Sequence, residues 1–154
     1  RVNGVLTVYT DSTMRIPIKT IRVSVGKAGT ETPTGTWTMH RAGRWQELMG
    51  PSWGQYGTHV VNGIFVHSVA CGQANSYNLP VGEYLRLGNP ASHGCIRACV
   101  ADAKWVWDNC NGSKIHIFDG TYTSNEALKG PLGRKALTPL RGSKNFDPTD
   151  PACK

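Results

Sequence analysis

The chain has 154 residues, 39% of them hydrophobic, and carries 17 Lys and Arg against 10 Asp and Glu for a net charge of +7. This length suits one domain with a single core, burying about 68 to 70% of its unfolded surface, and no apolar run approaches the roughly 18 residues of a spanning helix. The basic excess favours an anionic polymer as partner, but no basic helix interleaved with base-stacking aromatics is present, which argues against nucleic acid. No basic stretch followed by an apolar one opens the chain, so it reads as a mature or trimmed fragment without signal peptide or anchor.

Residues 5 to 25 read as strands. Leu6 and Val8 alternate with polar neighbours, as do Ile16 and Ile18, then Ile21, Val23 and Val25, giving one apolar and one wet face. Gly26 to Gly35 has the Gly, Thr and Pro density of a loop, and alternation resumes at Trp37 and Met39. Residues 40 to 59 are rich in Gly, Trp and Tyr without periodicity, the make-up of a lid or cleft wall. Ile64 to Val66 is a short continuous apolar run, as in a central strand, and residues 70 to 92 are mostly loop, punctuated by Gly72, Pro80, Gly82, Gly88 and Pro90. A helix is predicted from about Val100 to Asn109, stopped by Asn109-Cys110-Asn111-Gly112, and Ile115 and Ile117 alternate with Lys114 and His116 in a last strand. The fold class is therefore mainly β with one principal helix. Residues 1 to 120 form the expected domain. Residues 121 to 154, Gly- and Pro-rich with a basic excess, form an extension that packs on it or trails from it.

The chemistry concentrates in Ser92-His93-Gly94-Cys95-Ile96-Arg97. Glycine lets the backbone turn tightly before the thiol, and neighbouring imidazole and guanidinium groups favour thiolate. His67, ending the apolar run Ile64-Phe65-Val66, is on a rigid mount for a general base. His93, Cys95, Cys99 and distant His116 lack the paired spacing of a zinc site, so neither metal nor cofactor is expected.

These residues, with 24 positions between His67 and Ser92, resemble the signature of the YkuD-type L,D-transpeptidases, cysteine enzymes that cross-link peptidoglycan. Val23-Ser24-Val25-Gly26 with Thr32-Pro33-Thr34-Gly35-Thr36-Trp37 is similar to the strand and turn preceding that family's catalytic region, and Val100 to Trp105 to the helix following its cysteine; the likeness spans roughly residues 5 to 118. The His67 to Ser92 interval exceeds the family's commonest spacing, which implies an insertion beside the cleft.

The resemblance implies a YkuD-like fold of sandwiched sheets, with Cys95 as nucleophile, His67 as base, and His93 orienting the loop or modulating the thiolate. It also implies that Ser68 acts through its carbonyl, and that Gly94 and Cys95 offer backbone N–H groups to the oxyanion. Arg97, which could pair with a substrate carboxylate or brace the turn, and Ser92, which could instead bond within the loop, are candidate substrate contacts with Trp53, Tyr56 and Tyr77, and Trp45 is a further cleft aromatic. Donor and acceptor would be peptidoglycan stem peptides, carbapenem-type inhibitors would acylate Cys95, and the setting would be extracytoplasmic, in cell wall or periplasm. Hydrolysis of the same acyl-enzyme, a carboxypeptidase activity, is one alternative; a non-catalytic wall-binding module and a thiol redox protein are others, the last without a Cys-x-x-Cys.

Five cysteines suggest an oxidising compartment with two disulfides and one free thiol, Cys95. On one helix Cys99 and Cys110 would stand about 16 Å apart, beyond bridging distance, so two of the three pairings of the remaining four survive. Cys71 with Cys99, and Cys110 with Cys153, is favoured because Cys71 and Cys99 each follow a proposed catalytic residue by four positions.

Overall fold

The structure is a computed structural model that describes residues 1–143 and 145–153; Lys144 and Lys154, two of the basic side chains of the extension, lie outside them. Its elements in chain order are β1 (Val5–Tyr9), β2 (Pro17–Arg22), β3 (Gly35–Thr38), β4 (His40–Arg41), β5 (Trp45–Leu48), β6 (Ser52–Gln55), β7 (Thr58–Val61), β8 (Ile64–Ser68), α1 (Val81–Leu85), β9 (Ile96–Ala98), α2 (Val100–Asn109) and β10 (Lys114–Ile117). The β-rich composition of the first two-thirds thus folds as expected around one principal helix.

The sheet that matters for function has the order β4-β7-β8-β9. Its apolar run Ile64–Val66 is central, as its composition requires, and β9 joins it in parallel with Val66 opposite Ile96 and His67 opposite Arg97. Antiparallel pairs β1·β2, β3·β10 and β5·β6 surround it. The main core unites Ile21, Val23, Val60, Val66 and Ile96 with Val100, Ala103 and Val106 from α2 and Ile115 and Ile117 from β10.

One expectation in β2 fails for a local reason. Ile18 is 52% exposed, while Lys19 turns inward to Asp102 at 2.8 Å. The register steps from Val8↔Lys19 to Tyr9↔Pro17, leaving Ile18 as the extra residue of a bulge, which inverts the alternation on either side of it.

The 70–92 segment is not only loop. It contains α1, whose Tyr84 is fully buried with Val69, Leu79 and Leu87 in a second small core. The C-terminal segment closes over that core: the Tyr84 hydroxyl donates to the Thr138 carbonyl at 2.8 Å, and Leu137 and Leu140 pack against it. Glu126 accepts from Arg134 and Lys129, which hold its carboxyl down at about 2, and Arg134 also reaches the carbonyls of Asn3 and Gly88. Further on, Asp147 accepts from the Val100 N–H at 2.8 Å, capping α2, whose own N-cap residue Cys99 makes no side-chain cap.

The expected disulfides are absent: all five cysteines are free thiols. Cys99 donates to Asp102 at 3.2 Å while Cys71 donates to the Val69 carbonyl, so the two sulfurs serve different partners. Cys110 and Cys153 are likewise unbridged: Cys110 closes the C-terminal end of α2, and the Cys153 thiol lies among Tyr77, Ser76 and Asp150.

Candidate active site

Strand β8 carries His67 and the loop into β9 carries Cys95, so the parallel pairing of β8 with β9 sets the two side by side. The Phe65 N–H points at the Cys95 sulfur at 3.4 Å, and the thiol lies 3.6 Å from the Gly63 carbonyl. Cys95 and His67 line one cavity of about 350 Å³ together with Ser92, His93 and Arg97.

His67 is buried with its Nδ1 bonded to the carbonyl of Ser68. A carbonyl only accepts, so Nδ1 carries the proton and Nε2 is left with a free lone pair. Burial pushes the imidazole down to about 4; the Ser68 bond opposes this and the Arg97 charge adds to it. At neutral pH it is therefore an uncharged base. Burial likewise raises Cys95, outweighing the Phe65 N–H and the Arg97 charge that pull it down. The electropositive surroundings legible in the sequence do not win: desolvation keeps the resting sulfur a thiol. The pair is thus neutral thiol with neutral imidazole, not a preformed thiolate.

The nucleophile loop is braced from inside. Ser92 is fully buried; its hydroxyl donates to the Cys95 carbonyl at 2.6 Å and accepts from the Gly94 N–H at 3.1 Å. Of the two readings of Ser92, these bonds are the one within the loop, and the Gly94 N–H, already engaged, is not a free oxyanion donor. Gly94 sits at φ 127°, a conformation that favours glycine, with the Ile64 side chain 2.7 Å from where a Cβ would be. Thr32, buried in the Thr-Pro turn, donates to the Gly94 carbonyl at 2.7 Å and accepts from the Gly26 N–H. Its Thr-Pro-x-Gly context was visible in the sequence, its contact with the nucleophile loop was not.

Arg97 gives Nη1 to Glu83 of α1 at 2.7 Å, while its buried Nε has no partner among the described residues. His93 is exposed at the cavity rim. Ser68 contributes more than its carbonyl: its buried hydroxyl accepts the Gln55 N–H at 2.8 Å and donates to Val69.

The aromatic candidates are not in the cavity wall. Tyr56, in the bend between β6 and β7 at φ 54°, is buried edge-on against Trp107 of α2 with Arg44 over its face. Tyr77 is exposed and packs on Phe146 of the C-terminal segment. Trp53 pairs with Glu47 across the β5·β6 hairpin and bridges to Cys71, and Trp45 lies under Arg44. The wall is made instead by Glu47, Leu48, Met49 and Ser52 around the hairpin turn, with Gly63, Ile64, Phe65 and Ala70. The exposed Met49 beside Gly50-Pro51 was the available signal, since a bulky apolar tip on a tight turn is unusual unless it faces a ligand.

A second residue escaped the sequence reading. A Cβ on Gly54 would lie 2.6 Å from His67 Nδ1, so the backbone of β6 rests directly on the imidazole.

The fold and this site define the L,D-transpeptidase catalytic-domain family, YkuD, whose model matches residues 3–128; the chain belongs to it. A stretch of 27 residues is 59% identical to the putative L,D-transpeptidase YciB of Bacillus subtilis, covering 18% of this chain and 14% of that protein. The L,D-transpeptidase of Mycobacterium smegmatis superimposes with a TM-score of 0.55 at 21% identity, over 76% of this chain and 55% of that one. The L,D-transpeptidase LdtMt1 in complex with imipenem gives 0.50 at 24%, over 67% and 50%. These structural likenesses are of fold, and the chain spans about half the length of the two solved structures.

Proposed function

We propose that this domain transfers acyl groups between peptidoglycan stem peptides, with Cys95 as nucleophile and His67 as base. The observation that carries the reading is a cysteine seated under the Phe65 N–H in a cavity shared with a buried, neutral histidine whose protonated nitrogen is already committed to Ser68.

As the sulfur attacks the carbonyl between the third residue of a donor stem and its terminal D-alanine, the thiol proton passes to His67 Nε2. The tetrahedral oxyanion takes the Cys95 N–H, since that of Gly94 is bonded to Ser92. The proton then goes to the departing amine, D-alanine leaves, and a thioester remains. An acceptor amine on the third residue of another stem attacks the thioester, gives its proton to His67, and expels the sulfur, which regains its hydrogen. Neutral partners suit this sequence because each step moves one proton and separates little charge in a desolvated site. Action on peptidoglycan puts the domain outside the cytoplasm, and its basic surface suits an anionic wall polymer.

Imipenem, the ligand in the LdtMt1 structure, supplies the test. Incubation with this carbapenem should add one inhibitor mass, mapped to Cys95; an unmodified protein overturns the reading. Incubation with a tetrapeptide stem then separates the two fates of the thioester. A cross-linked dimer means transfer to amine, and tripeptide alone means the hydrolytic activity of a carboxypeptidase.

A further inference from the structure

Beneath His67 lies a chain of buried hydrogen bonds that begins in the C-terminal segment, outside the residues the family model matches. Asp150 is 3% exposed. Its Oδ2 accepts Gln55 Nε2 at 2.8 Å, and its Oδ1 accepts the Ala152 N–H at 2.8 Å. Gln55, also buried, gives its backbone N–H to the Ser68 hydroxyl, and the Ser68 carbonyl accepts the Nδ1 proton of His67. The neighbouring residue, Gly54, is the one whose backbone touches the imidazole. Strand β6 therefore meets the base twice, once through the ring and once through Ser68, and its buried side-chain anchor at that end is a carboxylate more than eighty residues away in sequence.

We infer that Asp150 and Gln55 are positioning residues for the base: by fixing β6 against Ser68 they hold His67 as the single tautomer with Nε2 free. The inference rests on the reading of His67 as base. A carboxylate suits the task because it accepts only, which forces the Gln55 amide to present Nε2 and leaves its Oε1 without a partner among the described residues.

The test uses Asp150→Ala, Gln55→Leu and Asp150→Asn in the whole chain, with Asp147→Asn as a control that weakens the α2 cap in the same segment without touching Gln55. Nitrogen NMR of the histidine ring reads the tautomer, and acyl transfer is followed alongside. In the parent chain His67 should give the pure Nδ1–H pattern. Asp150→Ala and Gln55→Leu should give mixed tautomers and transfer slowed about 10- to 100-fold, by analogy with the loss of outer-shell partners of metal-bound histidines. Asp150→Asn should stay near the parent, because a half-turn of the Gln55 amide lets Oε1 accept from the new side chain. Unchanged nitrogen patterns in Asp150→Ala and Gln55→Leu, with rates no lower than the Asp147→Asn control, overturn the inference; should Asp150→Ala not fold, Gln55→Leu decides alone. The ring signals need no substrate, so a failure here leaves the carbapenem adduct on Cys95 intact, whereas failure of the proposed function removes that adduct whatever the tautomer.

Discussion

Arg97 and Glu83 meet at 2.7 Å across the seam between β9 and helix α1, so the guanidinium that faces the cavity already has a carboxylate partner. An arginine so paired acts chiefly as a fixed charge near the sulfur. Glu83→Gln leaves that charge uncompensated, and Arg97 then pulls the Cys95 thiol down more strongly. The pH midpoint for alkylation by iodoacetamide should fall, on the order of half a pH unit. An unchanged or higher midpoint would show that Glu83 does not govern the field at the sulfur.

Thiol chemistry should be selective despite five free cysteines. Cys95 is raised too but opens on the cavity, whereas Cys71, raised to about 11, and Cys110 and Cys153 are buried, and Cys99, raised to about 12, is held by Asp102. Under limiting iodoacetamide at pH 8, peptide mapping should find the label on Cys95 and Cys95→Ala should take up almost none. Equal labelling of Cys99 would contradict this.

Gly54→Ala should separate folding from activity. The added methyl lands 2.6 Å from His67 Nδ1, so the ring must move, and displacement by about 1 Å costs on the order of 100-fold in rate. Acyl transfer should collapse while circular dichroism stays that of the parent; a fully active alanine variant would show that the ring has room.

The depressed histidine leaves a mark on stability. Between its unfolded value of 6.5 and about 4, the unfolded chain binds a proton at position 67 that the folded chain refuses. Stability therefore rises with pH across that window: this contribution is complete above pH 6.5 and is lost as pH falls toward 4, by on the order of 3 kcal/mol. Urea titrations of His67→Gln should lose that slope, and an identical slope in both proteins would argue against a neutral buried imidazole.

Much of the site could be read from the chain because its reactive residues sit in short contiguous runs. Cys95, His93 and His67 announce themselves by residue type and by the apolar strand that ends in His67, and the buried Ile115 and Ile117 of β10 follow their alternation. What stayed hidden depends on contacts between distant segments. Neither the inward turn of Lys19, which follows from a one-residue bulge, nor the burial of Tyr56 against α2 has a local signature. The aromatics were expected in the cleft because rings and clefts often coincide; here the rings are spent on packing, and a Met-tipped hairpin forms the wall. The thiol's protonation was misjudged for a related reason, since sequence displays nearby charges but not the depth at which they act.

Because β8 and β9 run in the same direction, the polypeptide must leave the sheet after Ser68 and travel back to its starting edge before it can enter Ile96. The excursion is free to lengthen without changing which rung of the ladder holds the imidazole and which follows the sulfur. Substrate preference can thus be rewritten along that detour while the reacting pair keeps its address.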